Sequence, residues 1–280
     1  MEWIYCILKL SRIGLISKES HGEAKQVAQD IGRLLLDRGF AVTSYPNLHM
    51  RGIEHAQSVK DLRSRRIDLF VTVSGDGTIL RLLRTLDSTT PCLCVNVGGR
   101  GILAEVKPGQ IELALDKIER GDMRLERRLR IQPFLGETAL PPGLNEILVI
   151  RQAITRTPLF TMEFEKGAVF TQRMDGILVS TPTGSTGHSF SYGSPFLDGS
   201  LNVFSITPVG PIRRFPTVIK AATDLRLMAN YSLKLVIDGQ ESFDIEPNSY
   251  ITFKRHPRDA VFVRFDTAGA FRQLKNLGFE

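Results

Sequence analysis

Residues 71–80 decide the fold, and they read Val-Thr-Val-Ser-Gly-Asp-Gly-Thr-Ile-Leu. An apolar run, Ile67–Val73, ends within this stretch; two glycines then flank an aspartate, and a helical apolar pattern begins at Ile79. A strand that is apolar almost throughout is typical of a parallel sheet covered on both faces. The stretch therefore predicts a strand, a turn and a helix, with the turn at the carboxyl edge, where open α/β sheets bind their ligands.

The first third of the chain repeats this alternation of strand and helix. Further strands are predicted by apolar runs at Ile13–Ile16, Ala41–Tyr45 and Pro91–Val97. Helices are predicted by apolar spacing at 24–35, Ile79–Leu86 and Ile111–Ile118, with glycine stops at Gly39 and Gly121. This order favours an α/β domain with a parallel, Rossmann-like sheet over residues 1–121.

Beyond about residue 122 the pattern changes to short strand-like runs separated by Gly, Pro and Asn. These runs are Ile147–Ile150, Phe160–Phe164, Ile177–Ser180, Val203–Thr207, Leu233–Ile237 and Tyr250–Phe253. We therefore expect a β-rich, mostly antiparallel, sandwich-like domain at 122–261. The segment 262–280, with a helical pattern at Phe271–Leu277, is expected to return to the first domain.

Composition limits the kind of protein. The chain has 280 residues, enough for about two domains, and its 42% hydrophobic and 24% charged residues are typical of a folded soluble protein. The net charge of +6 favours anionic partners, but the only dense basic cluster, 124–130, is typical of a solvated face. Cysteines and histidines show no metal-ligand spacing, and no apolar run approaches a membrane span. We expect a cytoplasmic protein without nucleic-acid or membrane partners.

The turn after the third predicted strand suggests phosphate chemistry. Gly75 and Gly77 let the backbone approach a ligand closely or adopt positive φ, and Thr78 can cap a helix whose amino end favours phosphate. Asp76 beside a polyphosphate is repelled unless it binds a metal or takes a proton from an attacking hydroxyl. A plain turn between strand and helix, stabilised by the aspartate, is the alternative.

A second stretch, 173–193, reads Arg-Met-Asp-Gly-Ile-Leu-Val-Ser-Thr-Pro-Thr-Gly-Ser-Thr-Gly-His-Ser-Phe-Ser-Tyr-Gly. Nine of the twelve positions in 180–191, the hydroxyl-rich segment, are small or carry a hydroxyl. We expect the hydroxyl-rich segment to bury little and to bind ribose or pyrophosphate. A flexible linker is the alternative, which the apolar runs Ile177–Val179 and Phe196–Leu197 at its two ends disfavour.

Two shorter stretches carry weaker signals. Residues 143–150 place the carboxamide of Asn145 and the carboxylate of Glu146 at the start of a strand, where they could recognise an amino-purine or ribose hydroxyls. An exposed polar pair at a strand start is the commoner explanation. Residues 237–241 predict a hairpin turn. The sequence contains neither a Walker-type lysine loop nor a defensible Ser-His-Asp order.

Taken together and in this order, these stretches resemble the ATP-NAD kinase family over roughly residues 13–275. Ser74–Thr78 resembles a motif shared with diacylglycerol and sphingosine kinases. Thr181–Thr186, which follows Asp175-Gly176, is far more specific to the family. Residues 96–103 resemble the family segment that follows the Gly-Asp-Gly helix. The resemblance implies an α/β nucleotide-type domain, a β-rich domain and an active site between them.

The resemblance implies an NAD kinase that moves the terminal phosphoryl group of ATP, or of polyphosphate, to the 2′-hydroxyl of the adenosine ribose of NAD. A divalent metal, Mg²⁺ or Mn²⁺, would be held largely by the triphosphate, because the sequence offers no carboxylate cage. A homotetramer or homodimer is also implied. The alternatives are a lipid kinase of the diacylglycerol or sphingosine type, which uses the same Gly-Asp-Gly chemistry, and a non-catalytic dinucleotide sensor.

The resemblance also implies roles for individual residues. Asp76 is the general base that takes the proton of the ribose hydroxyl. Asn145 and Glu146 hold the adenine and ribose side of NAD, and Asp175 meets its nicotinamide side. The other implied substrate-binding residues are Gly77, Thr78, Arg81, Arg156, Arg173, Thr186, Gly187, His188, Ser189, Ser191 and Gln240.

Two positions depart from the family pattern. The implied phosphate loop contains Ser74 and Gly75, and the family usually has glycine where Ser74 stands. If that position needs positive φ, serine strains the loop. His188 stands where many members have tyrosine, so we expect a smaller pocket with pH-sensitive occupancy.

Overall fold

The computed structural model describes residues 9–18, 22–86, 88–98 and 101–265. The chain divides into two compact units: one runs to Arg127 and resumes at Ala260, and the other spans Arg128–Asp259. The helix predicted at Phe271–Leu277 lies outside the described residues. The Gly-Asp-Gly turn belongs to the first unit and the hydroxyl-rich segment to the second.

The first unit is built on a parallel sheet. Its strands before the boundary are β1 (Arg12–Ser17), β2 (Ala41–Tyr45), β3 (Ile53–His55), β4 (Leu69–Ser74), β5 (Cys92–Asn96) and β6 (Arg124–Arg128). Its helices are α1 (Gly22–Asp37), α2 (Val59–Ser64), α3 (Asp76–Leu86) and α4 (Ile111–Glu119). The neighbouring strands from β1 to β5 pair in parallel. The predicted parallel-sheet class is confirmed.

The second unit consists mainly of strands whose pairing is antiparallel. They are β7 (Ile131–Leu135), β8 (Thr138–Ala139), β9 (Glu146–Arg151), β10 (Leu159–Phe164), β11 (Val169–Ser180), β12 (Val203–Pro211), β13 (Val218–Ala221), β14 (Leu225–Ala229), β15 (Leu233–Ile237), β16 (Glu241–Ile245) and β17 (Ile251–Arg255). The short helix α5 (His188–Ser191) follows a 3-10 turn at Thr183–Thr186. The predicted β-rich class is confirmed.

The long strand β11 organises the second unit. The sheet order is β16-β15-β9-β11-β10-β14-β17-β7-β8, with β12 paired to β11 and β13 paired to β12. The first half of β11 pairs with β10, and its second half pairs with both β9 and β12. These strands therefore form one continuous sheet, shaped as a half-barrel.

The last described strand, β18 (Ala260–Arg264), returns to the first sheet. It lies between β5 and β6 in the order β3-β2-β1-β4-β5-β18-β6, and Phe262 pairs in parallel with Cys92. The return brings the fully buried Arg264 into the first unit, close to the residues that follow β5.

Burial explains why these segments form this sheet. Every residue of β4 is buried, as expected for a central parallel strand. Helix α1 buries Ala24, Ala28, Ile31 and Leu35, the spacing of one helical face. Because β2, β1 and β4 are parallel neighbours, their carboxyl ends share one edge of the sheet. None of the helices in the described residues is long and apolar enough to cross a membrane.

Candidate functional site

The turn between β4 and α3 carries a carboxylate at the carboxyl edge of the first sheet. Ser74 ends β4, Asp76 begins α3, and the amide of Thr78 donates to the carbonyl of Gly75 at 3.1 Å. Neither Ser74 nor the two glycines has positive φ, so the serine causes no backbone strain. A Cβ at Gly75 would meet no atom within 4 Å. The sequence offered two reasons for Gly75 and Gly77, a positive φ and the close approach of a ligand. Their backbone excludes the first reason, and the second remains.

The loop after β5 orients the side chain of Asp76. The amide of Ile102 donates to Oδ2 at 2.8 Å, and the amide of Leu103 donates to Oδ1 at 3.0 Å. Asp76 is half-buried. Because a carboxylate has about four lone-pair sites, it can still accept a hydrogen bond from a ligand hydroxyl.

A buried arginine holds this loop. Arg264 Nη1 donates to the carbonyl oxygen of Leu103 at 2.9 Å, and Nε donates to Glu126 Oε2 at 2.8 Å. Burial by itself lowers the pKa of Arg264, but the carboxylates of Glu126 and Glu105 outweigh it, so the pKa is raised. A continuous chain of hydrogen bonds therefore runs from Arg264 through Leu103 to Asp76. Sequence reasoning missed Arg264, because nothing local marks it.

In the second unit, Asp238 clamps the start of β9. Its carboxylate accepts the amides of Leu144 at 3.0 Å, Asn145 at 2.8 Å and Glu146 at 3.1 Å. Asp238 is buried, with φ of 47°, in the turn between β15 and β16. The predicted hairpin turn is confirmed. Asp238 also orients Asn145 and Glu146. The sequence did not reveal that role, because an Asp-Gly pair by itself predicts only a turn.

The hydroxyl-rich segment folds back onto the same strand start. The amide of Thr181 donates to the Asn145 carbonyl at 2.8 Å, and a Cβ at Gly184 would collide with that carbonyl. A Cβ at Gly187 would lie 3.0 Å from Glu146 Oε2 and 3.6 Å from Asn145 Nδ2. The structure therefore brings Asn145, Glu146 and Gly187 together into one site.

Most hydroxyls of this segment bond to the protein itself. The buried members are Ser180, Thr181, Thr183, Ser185, Thr186 and Ser189. Ser185 Oγ accepts from the Leu197 amide at 3.0 Å, and Ser189 Oγ donates to the Gly184 carbonyl at 2.8 Å. The expectation that the segment buries little is therefore wrong, because its hydroxyls satisfy backbone groups in tight turns. Its exposed members include His188 and Ser191.

Glu146 has an unusual environment for a carboxyl group. Burial raises its pKa to about 8, the charge of Asp238 adds to the rise, and the amide of His188 opposes it. Oε2 has no hydrogen-bond partner among the described residues. At neutral pH the side chain is therefore mainly protonated, and it can donate a hydrogen bond to a ligand.

A second cluster of polar side chains lies farther along β9 and β11. Arg151 Nε forms an ion pair with Asp175 Oδ1 at 3.1 Å, and Arg173 Nη1 donates to the Thr157 carbonyl at 3.0 Å. The neighbouring Arg156 is exposed. These contacts place the predicted residues Arg156, Arg173 and Asp175 in one region.

The cluster around Glu146 and the cluster around Asp175 are separated along the strands of the second unit. Ser180 pairs with Glu146, and Gly176 pairs with Ile150. Asp175 therefore lies five residues from Ser180 along β11, or about 17 Å at roughly 3.3 Å per residue. Gln240 is exposed in the turn that carries Asp238, at the Glu146 end. Because side chains alternate between the two faces of a strand, the odd spacing of Asp175 and Ser180 directs them to opposite faces of the sheet.

A parallel-sheet unit with an oriented aspartate at its carboxyl edge, followed by a β-rich unit, is the architecture expected of a nucleotide-using kinase of the ATP-NAD kinase type. The family model of the ATP-NAD kinase N-terminal domain matches residues 13–123, and that of the ATP-NAD kinase C-terminal domain matches residues 144–265. The chain belongs to the ATP-NAD kinase family.

Known relatives agree with this assignment. The NAD kinase of Thermococcus kodakarensis is 32% identical over 91% of this chain and 94% of its own, and that of Methanothermobacter thermautotrophicus is 31% identical over 91% and 92%. The crystal structure of an NAD kinase from Archaeoglobus fulgidus in complex with ATP has a TM-score of 0.76 at 26% identity, covering 95% of this chain and 99% of that one. Yeast NADH kinase complexed with NADH shares the fold at a TM-score of 0.88 and 19% identity, covering 97% and 88%.

Gly184→Ala tests the close packing of the hydroxyl-rich segment. The added methyl group collides with backbone, which cannot rotate away, so the free energy of unfolding should fall by about 3 kcal/mol. Gly75→Ala is the matched control, because its methyl group enters open space at a position without positive φ. Urea denaturation measures both variants. Equal losses of stability would contradict the packing described.

Glu146→Gln tests the protonation of the buried carboxyl. Its pKa of about 8 lies above the ordinary value of 4.5, so between these pH values the native state holds a proton that the unfolded state releases. Wild-type stability should therefore decline as the pH rises from about 5 to about 9, and the neutral glutamine should remove this part of the decline.

The measurement is the free energy of unfolding at both ends of that pH range. Glu137→Gln, at an exposed position, is the control and should retain the wild-type slope. If Glu146→Gln retains that slope as well, the carboxyl is ionised throughout.

Arg264→Lys tests the positioning of Asp76. Lysine keeps a buried positive charge beside Glu126 but cannot also hold the Leu103 carbonyl in the same geometry. Turnover should fall about tenfold while KM for NAD stays nearly unchanged. Arg33→Lys, at an exposed position on α1, is the control. A folded Arg264→Lys enzyme with wild-type turnover would show that this arginine does not position Asp76.

Proposed function

We propose that this chain phosphorylates NAD at the 2′-hydroxyl of the adenosine ribose, with ATP as donor and Asp76 as the general base. The supporting observation is the pair of amide hydrogen bonds that orients the Asp76 carboxylate at the carboxyl edge of the sheet. Relatives that are NAD kinases support NAD as the acceptor, and the similar structure of an NAD kinase in complex with ATP supports ATP as the donor.

In the proposed reaction, the ribose hydroxyl oxygen attacks the γ-phosphorus as its proton passes to Asp76. The bond between that phosphorus and the bridging oxygen breaks, and ADP leaves. The amino end of α3 favours the phosphate charge, and the exposed Arg81 on the same helix adds a cation. Catalysis then depends mainly on positioning and on charge stabilisation.

A divalent metal, Mg²⁺ or Mn²⁺, belongs to the proposal. No group of three or more His, Cys, Asp or Glu side chains in the described residues is arranged to hold a metal. We therefore assign most of its ligands to the triphosphate oxygens. When bound, it neutralises phosphate charge, which also reduces the repulsion between the phosphates and Asp76.

The second unit supplies the proposed NAD-binding residues. Protonated Glu146 donates a hydrogen bond to the adenosine portion of NAD, and the Asn145 carboxamide offers both a donor and an acceptor beside Gly187. Asp175, about 17 Å from Ser180 along β11 by the rise per residue, and Arg173 are proposed to meet the nicotinamide side. Relatives that are NAD kinases support a dinucleotide as the ligand.

The remaining assigned residues divide into two kinds. His188, Ser191 and Gln240 are exposed and remain proposed ligand contacts. Thr186 and Ser189 are buried, and their hydroxyls already donate to backbone carbonyls. We therefore assign Thr186 and Ser189 the task of shaping the turn that presents Gly187 and His188.

Assembly into a homotetramer or homodimer is also proposed. Val169 and Phe170 on β11 are 55% and 50% exposed, and Ile212 is 65% exposed. The Ile212 amide bonds to the Arg173 carbonyl, three residues along β11 from Phe170, so about 10 Å of strand separates Ile212 from Phe170. Exposed apolar groups of this kind are typical of subunit contacts. A cytoplasmic location remains a prediction.

Asp76→Asn tests the proposed base. The amide cannot take the proton, so turnover should fall by about 10²–10⁴-fold while NAD binding persists. NADP formation from NAD, ATP and Mg²⁺ measures turnover, and calorimetry measures NAD binding. Asp30→Asn, at an exposed site on α1, is the matched control.

Near-normal turnover by Asp76→Asn would remove Asp76 from the base role. A wild-type chain that binds NAD but forms no NADP would instead support the dinucleotide sensor. The lipid kinase alternative is disfavoured by membership of the ATP-NAD kinase family, and diacylglycerol as acceptor in the same assay tests it directly.

A further inference from the structure

Two cysteine side chains lie side by side in the interior of the first unit. Cys92 and Cys94 are two residues apart on β5, so both point to the same face of the sheet. Their Sγ atoms are 3.6 Å apart, and the residues are 0% and 1% exposed. Both are free thiols, and the proposed reaction does not use them. The strand therefore carries a preformed dithiol without an assigned role.

The distance between the two sulfurs fits chelation of one soft metal ion. Zinc binds thiolate sulfur at about 2.3 Å and takes a tetrahedral arrangement of ligands. Two sulfurs 3.6 Å apart, each about 2.3 Å from a shared ion, subtend an angle of about 103° at that ion. The tetrahedral angle is about 109°. The strand therefore holds the thiols near the spacing that a tetrahedral metal ion requires.

A buried hydroxyl faces the same two sulfurs. Thr72 on β4 pairs in register with Cys94 and is fully buried. Its hydroxyl lies close enough to interact with both sulfurs, yet Oγ1 has no hydrogen-bond partner of good geometry among the described residues. Such a group in a protein interior requires an explanation. Thiolates bound to a metal accept hydrogen bonds more strongly than thiols, so an occupied site would give Thr72 an acceptor.

The charge balance of the dithiol favours a soft divalent cation. Two thiolates neutralise one divalent ion, so the complex brings no net charge into the interior. Arg264 acts on Cys94 electrostatically, and its charge is balanced by ion pairs. The partners in these ion pairs are Glu105 and Glu126. Mg²⁺ prefers oxygen ligands in octahedral geometry, so the two sulfurs select zinc or a similar thiophilic ion instead.

The dithiol also adjoins the loop that orients Asp76. The Val106 amide donates to the Cys94 carbonyl at 3.2 Å, which closes the loop after β5 onto this strand. The same loop contains the Ile102 and Leu103 amides that hold the Asp76 carboxylate. A shift of Cys94 would therefore reach that carboxylate through the loop.

We propose that Cys92 and Cys94 bind one thiophilic divalent cation of the zinc type, with the Thr72 hydroxyl donating to a thiolate sulfur. On binding, both thiols lose their protons and two metal–sulfur bonds form, so two protons are released for each ion. The site goes beyond the proposed reaction, because it requires neither NAD nor ATP. Its occupation lowers turnover by displacing the loop that holds Asp76. The sequence did not predict it, because two cysteines alone lack the spacing of a four-ligand site.

The experiment titrates the reduced chain with Cd²⁺, a thiophilic probe whose bond to thiolate gives an ultraviolet charge-transfer band. Saturation should release two protons per ion, and excess Zn²⁺ should reduce the band. Cys92→Ser and Cys94→Ser should each weaken binding about 10²-fold, because one thiolate lacks the benefit of a linked second ligand. Thr72→Val should weaken binding about tenfold through the lost hydrogen bond to a metal ligand. Because both thiols are buried, each point is followed until the signal is constant.

Cys6→Ser is the matched control, because it removes the third cysteine of the sequence and keeps the proposed ligands. It should bind Cd²⁺ as wild type does, and circular dichroism checks the folding of every variant. Loss of the band in Cys6→Ser, or wild-type affinity in folded Cys92→Ser and Cys94→Ser, would overturn the assignment. Native mass spectrometry of the wild-type chain depends on no variant and should show one bound Cd²⁺; a chain without bound ion would overturn it as well.

A second measurement tests the coupling to Asp76 and keeps the metal site separate from the proposed function. The wild-type chain is loaded with one equivalent of Cd²⁺, and NADP formation is then measured with ATP and Mg²⁺. Turnover should fall about tenfold, and Cys92→Ser treated in the same way should keep its activity. Unchanged turnover of the loaded wild type would overturn the coupling. If metal-free wild type forms no NADP but Cd²⁺ binds with the dependence given above, the kinase assignment fails and the metal site stands.

Discussion

The hydrogen bonds from the Ile102 and Leu103 amides to Asp76 join the fold to the chemistry. In the proposed reaction Asp76 works beside phosphates, so its carboxylate must be held in place against their repulsion. Asp76 lies at the carboxyl edge of the parallel sheet, where α3 begins, and the loop after β5 supplies the two amide donors that hold its carboxylate. Arg264 holds that loop through the Leu103 carbonyl, so the last described strand supports a turn near the middle of the first unit.

In the second unit, the neighbouring carboxyl groups of Asp238 and Glu146 have different roles because their surroundings differ. Asp238 accepts three backbone amides, which fixes the start of β9. Glu146 is buried beside it, and burial together with the charge of Asp238 raises its pKa to about 8. The Asp238 carboxylate orders the backbone, and the protonated carboxyl of Glu146 is left to donate a hydrogen bond to a ligand. This division of roles is the basis of the proposed adenosine contact.

Sequence periodicity predicted the main strands of both units and the helices α1, α3 and α4, because each buries one continuous face. It missed α2, where Leu62 is the only buried residue, and β3, which has three residues. In the second unit it also missed the strands β7, β8, β13, β14 and β16. It also misjudged the hydroxyl-rich segment. Small polar residues suggested an open loop, whereas Ser185 and Ser189 are buried and bond to backbone groups. A cavity at the carboxyl edge of the first sheet escaped prediction because four separate segments line it.

The sequence by itself determined the class of the fold, the family and the residues at the turn, since strand burial, helical spacing and short motifs are local properties. Tertiary structure alone decided which groups support them. Arg264 and Leu103 are 161 residues apart in the chain, and Asp238 and Asn145 are 93 apart. Pairings over such separations depend on how strands order themselves in a sheet, and no local pattern encodes that order. The protonation of Glu146 likewise follows from burial and from a neighbour that only folding supplies.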